Sequence, residues 1–321
     1  MPERDGEWKR GSSMTLSDDE VRHKVIDLLT LETARDKQRR VGASNISNPC
    51  DYCLACAFAG VDNRSGVTDR DWMGRVTGTA YQLLLEHRTK EKYPNHLVEY
   101  NLPIGVIPGY GEVRSTLDWA ILEEEHLIDN KNITIEKTVY LRDYLGQTNY
   151  GRDNRFEPIF SETSPGTFRK AKSIVSESIY AEKLREAEYK VTGYCGQLSL
   201  YARGLIAQGK SIKRMTNAFI VRDSSGHFDN PALDGYSDNT KMHGVWVLSW
   251  DYDADYAEAV WDRGVFIYKA LEEGATVEDF AHHELCFPCK MNAQQAERAT
   301  EKPTHQPTTP VAEVSFLGEA A

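Results

Sequence analysis

The chain has 321 residues, 40% of them hydrophobic, and a formal net charge of −11. That is enough apolar material for one sizeable core, with room for a second small one. No stretch reaches the roughly 20 uncharged apolar residues of a bilayer-spanning helix, so no membrane partner is expected. Residues 1–10 are polar and charged and lack the apolar segment of a secretory signal, so the expected location is cytoplasmic. The acidic balance disfavours broad wrapping of a polyanion. It leaves room for local contacts, and residues 35–40, 169–172 and 183–190 are basic clusters that read either as such contacts or as solvated helix faces.

In chain order, residues 1–40 read as a polar tail and a helix opened by the capping sequence Ser17-Asp18-Asp19-Glu20. Residues 41–290 read as the core. A short helix is expected from about Cys53 to Gly60 and a longer one over 71–92, weakened near Gly74 and Gly78. Strands are expected over 97–104, 112–121 and 125–135, with Pro103 marking an edge and Glu123-Glu124-Glu125 a hairpin turn. Residues 140–180 read as an insertion with a helix starting near Pro165. A strongly helical stretch follows over 181–208, then strands over 216–221 and 245–250, and a helix over 253–273 stopped by Gly274. Residues 291–321 include a Pro/Thr-rich segment and read as a disordered tail. The expected fold class is α/β, a central mixed sheet flanked by helices, with a cysteine metal clasp.

The chemistry concentrates at Asp118 and at Asp129-Asn130-Lys131. Each aspartate falls in a strand candidate, and the acidic turn between them allows those strands to be neighbours. Two carboxylates so placed can hold Mg²⁺ or Mn²⁺ through oxygen ligands and waters. Such an ion activates water and steadies charge on a phosphate. Lys131 is two residues from Asp129 and so shares its strand face. Gln197 and Tyr201, four apart in GYCGQLSLYARGL, share a helix stripe. Taken singly, an Asp-x-Lys triplet is equally a surface salt bridge, and a Gln–Tyr pair is equally part of an amphipathic helix.

Taken together, GTAYQLLLE (78–86), STLDWAI (115–121), HLIDNK (126–131) and GQLSLY (196–201) resemble the RecB-like P-D-(D/E)-x-K nuclease family in order and spacing. That family includes CRISPR-associated RecB-type and bacteriophage exonucleases. The resemblance covers roughly 41–290. It implies a metal-dependent deoxyribonuclease, an exonuclease sooner than an endonuclease, acting on DNA in recombination, repair or phage DNA processing in a bacterial or phage-infected cell. It implies Asp118 and Asp129 as metal ligands, Asn130 as a backbone ligand, Lys131 as catalytic, and Gln197 and Tyr201 as positioning groups. The chain departs from the family where a histidine ligand would stand four residues after Gly78: Gln82 is there, a poor but possible oxygen ligand to the Mg²⁺ or Mn²⁺, and Glu86, one turn later on the same helix face, is the preferred substitute. That departure leaves a second reading: a catalytically weakened DNA-binding protein, or a scaffold that joins a replication or recombination complex.

Cys50-x-x-Cys53 and Cys286-x-x-Cys289 form two matched pairs at opposite ends of the expected core. Four thiolates suit a tetrahedral Zn²⁺ and also an iron–sulfur cluster. RecB-like nucleases with a cluster place one cysteine early and three late, whereas this chain has three early and two late. Cys56 is a spare, and Cys195 reads as a core thiol.

Overall fold

The computed structural model describes residues 40–61, 63, 72–147, 159–164, 167–171, 177–221 and 245–300. The N-terminal helix expected before residue 40 and the C-terminal segment after 300 lie outside them.

The chain enters through a short helix α1 (Ala43–Ile46) and α2 (Asp51–Ala59), then the long α3 (Trp72–Lys92). Strands β1 (Leu97–Ile107), β2 (Gly111–Ile121) and β3 (His126–Ile133) form an antiparallel meander. Helix α4 (Ile135–Tyr144) and a hairpin, β4 (Ile159–Ser164) with β5 (Thr167–Ala171), precede the long α5 (Glu177–Ala207). Strands β6 (Arg214–Val221) and β7 (Val245–Asp251), then helices α6 (Ala254–Glu272) and α7 (Phe287–Thr300), complete it. The sheet order is β1-β2-β3-β6-β7. β6 runs parallel to β3, because α5 carries the chain back to the starting end, and β7 pairs antiparallel. The result is an α/β fold around a five-stranded mixed sheet. Among the described residues no helix is long and apolar enough to cross a membrane.

β1 lies at a sheet edge, where Pro103 costs no ladder bond, and the β1–β2 register slips between Pro103 and Gly105. The main core gathers Leu102, Ile104, Val113, Leu117, Ala120 and Leu127 from the sheet against Leu198, Tyr201, Leu205 and Trp261 from α5 and α6. Close approach is needed there. A Cβ at Gly204 would sit 2.8 Å from the Pro103 carbonyl oxygen, so only glycine lets α5 lie this near β1. A second core joins Ile133, Leu141, Ala187, Phe219 and Trp246 under α4.

Three expectations need correction. Ile135–Tyr144 is a helix, not strand end and insertion; the Thr134 hydroxyl accepts the Lys137 N–H as its N-cap, a signal that the β-branched run before it obscured. Where a helix was expected from near Pro165, the described residues on either side, Ile159–Ser164 and Thr167–Ala171, pair as the antiparallel β4–β5 hairpin. Helix α7 runs to Thr300, so residues 291–300, expected as part of a tail, are helical.

Candidate functional site

The β2–β3 ladder ends where Trp119 pairs with Ile128, and Asp118 and Asp129 are the next residues on the two strands. Asp118 Oδ2 accepts the backbone N–H of Asn130 at 2.7 Å, which ties the two strands together at this point. Asp129 is 2% exposed, and its Oδ2 accepts from Lys131 Nζ at 2.7 Å and from Asn217 Nδ2 at 2.7 Å. Among the described residues no hydrogen bond falls on its Oδ1. Lys131 also donates to Gln197 Oε1 at 3.0 Å, and Gln197 Nε2 donates to the Tyr201 hydroxyl at 2.7 Å. Helix α5 thus holds the lysine through one amide, and the buried Tyr201 fixes that amide. The ring of Tyr194 lies 5.6 Å from the ammonium.

The structure therefore brings together Asp118, Asp129, Asn130, Lys131, Gln197 and Tyr201. It brings Gln82 as well: its Nε2 donates to Asp118 Oδ1 at 2.8 Å and to the Glu99 carboxylate. It does not bring Glu86, whose carboxylate pairs with Lys90 at 2.7 Å one turn on, at the rim of α3. The acid beside Gln82 is Glu99 of β1, which sequence reasoning missed. Glu99 sits in the left-handed region at φ 52°, a costly conformation for a non-glycine residue. Asn217 was missed too. It is fully buried and stands across the parallel ladder from Asp129; a lone amide inside the apolar run MTNAFIV was the available signal.

The electrostatics follow from crowding. Burial, then the Asp129 charge, push the Asp118 carboxyl up to about 6. Burial works to lower the Lys131 ammonium, but Asp129, with Tyr201 and Asp118 behind it, outweighs burial and holds it above its ordinary value. Lys131 thus remains a cation at neutral pH and serves as a fixed charge rather than a proton acceptor. Tyr201 is pushed up to about 12, first by burial and then by Asp129, so it stays a neutral phenol.

The folded Asp118 carboxyl titrates above its unfolded value, so its protonated form stabilises the fold below about pH 4. That contribution is lost as pH rises through about 6. Asp118→Asn keeps a neutral group there at every pH, and Gln82 can turn its amide to accept from it. The metal-free variant is expected to exceed wild type at pH 8 by about 1–3 kcal/mol, with the gain vanishing near pH 4. Thermal melts across pH read this directly, and a variant that is less stable at pH 8 would refute the assigned strain.

The second constellation is the cysteine cluster. Cys50 caps the start of α2, Cys53 lies one turn in, and Cys286 and Cys289 flank the start of α7. Cys50 Sγ is 3.6 Å from Cys289 Sγ, Cys53 Sγ is 3.2 Å from Cys286 and 3.6 Å from Cys289, and all four sulfurs lie within 4.8 Å of one another. All are free thiols. A tetrahedral ion with bonds of about 2.3 Å sets its sulfurs about 3.8 Å apart, so the four could hold a metal ion such as zinc. The His283 N–H donates to Cys50 Sγ at 3.4 Å, and hydrogen bonds from Cys286 and Cys53 hold the Cys50 thiol well below its ordinary range. Cys56 is buried in α2, pointing at Tyr52 rather than into the cluster, and Cys195 lies on α5 beside Ser199 and Tyr256. His282 stacks on Tyr52 at 3.8 Å and His283 packs on Tyr189 at 4.5 Å, so both histidines line the cluster without joining it. Among the described residues no other group of three or more His, Cys, Asp or Glu side chains closes to this distance.

No family model, curated protein or solved structure matches the chain. The functional reading therefore rests on the residues and their geometry.

Proposed function

We propose that the chain is a metal-dependent DNA nuclease of the RecB-like P-D-(D/E)-x-K type, with its centre at Asp118, Asp129 and Lys131. The observation that carries this reading is the lysine. Lys131 is a partly buried cation gripped by Asp129 and Gln197, beside a second carboxylate whose proton affinity is raised. A purely structural ion pair needs one carboxylate; here Asp129 pairs with the ammonium, the Asp118 charge also acts on it, and Glu99 shares the Gln82 amide with Asp118. The surplus negative charge fits a divalent cation, and Asp129 Oδ1 is left over as a donor. Asp118, Asp129 and the Asn130 carbonyl would hold Mg²⁺ or Mn²⁺, with the Gln82 amide oxygen in reach once the amide turns. That ion supplies activation of water and neutralisation of charge at the phosphate. The chain's own part is positional. Lys131 steadies charge developing on the phosphate, Gln197 fixes the ammonium, and Asn217 fixes the Asp129 carboxylate.

At the cysteines, the close sulfur spacing favours a single Zn²⁺ over a multi-iron cluster, which is wider and would hold its thiolates further apart. The zinc would act as a structural clasp. The second reading, a DNA-binding protein with weakened catalysis, is favoured by one observation: Gln82 occupies Asp118 and Glu99 with neutral amide hydrogen bonds where the family has a metal-ligating histidine. The test is end-labelled single- and double-stranded DNA incubated with the protein in Mg²⁺ or Mn²⁺ and in EDTA. The nuclease reading expects shortening that EDTA abolishes. Retarded but intact DNA under all conditions would select the second reading.

A further inference from the structure

The stripe of α5 that carries Gln197 does not end there. Counting back along the helix, Tyr194, Lys190 and Lys183 fall on the same side, because steps of three, four and seven residues return to one face. Helix α4 faces this stripe, and it begins only four residues after Lys131. Between the two helices is a small cleft lined by Lys137 and Tyr140 on one wall and by Lys183, Glu186 and Lys190 on the other. The charges in it are not balanced. Glu186 is committed to Lys183 at 3.2 Å and to Lys290 at 3.2 Å, and the exposed Glu136 reaches only Lys183, at 4.0 Å. Among the described residues Lys190 makes no hydrogen bond or ion pair, although it is half-buried, and the Lys137 ammonium makes none either. A half-buried ammonium without a partner costs free energy that an anion would recover.

We infer that this cleft is a phosphate subsite for the nucleic-acid strand, in which Lys190 and Lys137 grip a backbone phosphate away from the scissile one. The inference rests on the nuclease reading for the identity of the anion. Lys190 precedes Gln197 by seven residues, about 10 Å along the helix, which is the axial rise of roughly three nucleotides of a duplex strand. A strand whose scissile phosphate lies at Lys131 therefore reaches the cleft with a phosphate some three nucleotides away. Tyr194 spans the interval, its ring near Lys131 and its position one turn from Lys190. The state of Lys190 agrees with this. Burial, and then the neighbouring Lys137 charge, pull its ammonium down to about 8 against the weaker opposing pull of Glu186 and Glu136, so the carboxylates already in the cleft do not offset its burial.

The test is fluorescence anisotropy of a labelled 20-nucleotide single strand and the matching duplex, in EDTA so that nothing is cut, over a range of salt concentrations. Wild type is compared with Lys190→Met, which keeps the apolar stem, with Lys137→Met, and with Lys190→Arg. Each methionine variant is expected to weaken binding about 10-fold at low salt and to flatten the slope of log Kd against log salt by about 0.7–0.9. Lys190→Arg should bind like wild type, which separates lost charge from lost fold. Unchanged affinity and slope in both methionine variants would overturn the subsite while leaving the nuclease reading intact. Lysine-dependent binding by a protein that never cuts DNA would sustain the subsite and sink the nuclease reading. A wild-type protein that binds neither DNA would overturn both.

Discussion

Lys131→Ala is expected to lower DNA turnover by about 10³-fold while changing DNA affinity little. The size comes from removing one fixed positive group at developing phosphate charge, an effect of roughly 10²–10³ on turnover in comparable electrostatic sites. Affinity should survive because binding is spread over many phosphate contacts and the lysine is already paired with Asp129 in the free protein. Arginine is not expected to rescue. Its planar fork is larger than the ammonium and has to fit between the Asp129 carboxylate and the Gln197 amide. Single-turnover cleavage beside anisotropy on the same preparations separates the two quantities. Equal turnover in the variant would remove Lys131 from the mechanism, and a parallel loss of binding would make it a docking residue.

The second large effect concerns the clasp. Cys50 and Cys53 are separated from Cys286 and Cys289 by most of the chain, yet their sulfurs lie together. The unfolded chain holds no such site, so metal binding free energy becomes folding free energy. Cys53→Ser or Cys286→Ser is expected to cost more than about 4 kcal/mol and to release the metal, and a strong chelator should act likewise on wild type. Cys195→Ala and Cys56→Ala should cost far less, since neither sulfur joins the cluster. Elemental analysis of protein purified without oxygen fixes the ion: about one zinc and no colour is expected, and iron with sulfide would replace zinc by a cluster. Wild type carrying neither, with melts untouched by chelator, would remove the clasp.

What the sequence made legible was local or periodic. The strongly helical composition of 181–208 and the stop at Gly274 announced α5 and α6, and the extended apolar runs with the acidic turn at 123–125 announced β1 to β3. The i, i+2 spacing of Asp129 and Lys131 and the i, i+4 spacing of Gln197 and Tyr201 survive into three dimensions because those periods are the geometry of strand and helix. What escaped was set by long-range register. Glu99 reaches the site only because β1 pairs with β2 in a particular register and the backbone turns left-handed at that residue. Asn217 meets Asp129 only through the parallel β3–β6 ladder, which α5 makes possible from far along the chain. Glu86 looked suitable because it shares a helix face with Gln82, but α3 places that next turn at the rim, where Lys90 meets it. Helix α4 was hidden because Ile135, Thr138 and Val139 are β-branched and continue the look of the preceding strand.

A metal-dependent cut of DNA anchored at Asp129 is the step on which the proposed function stands. The most direct measurement is the Mg²⁺- or Mn²⁺-dependent rate of DNA degradation by wild type and by Asp129→Ala, purified in parallel and matched by circular dichroism. Measurable cutting by wild type, abolished by EDTA, is expected, with a loss of at least about 10³-fold in Asp129→Ala, since that change removes a proposed metal ligand and leaves Lys131 without its counter-charge. Equal rates for the two proteins would trace the activity to a contaminant, and a wild type that binds DNA with both metals but never shortens it would contradict the claim outright.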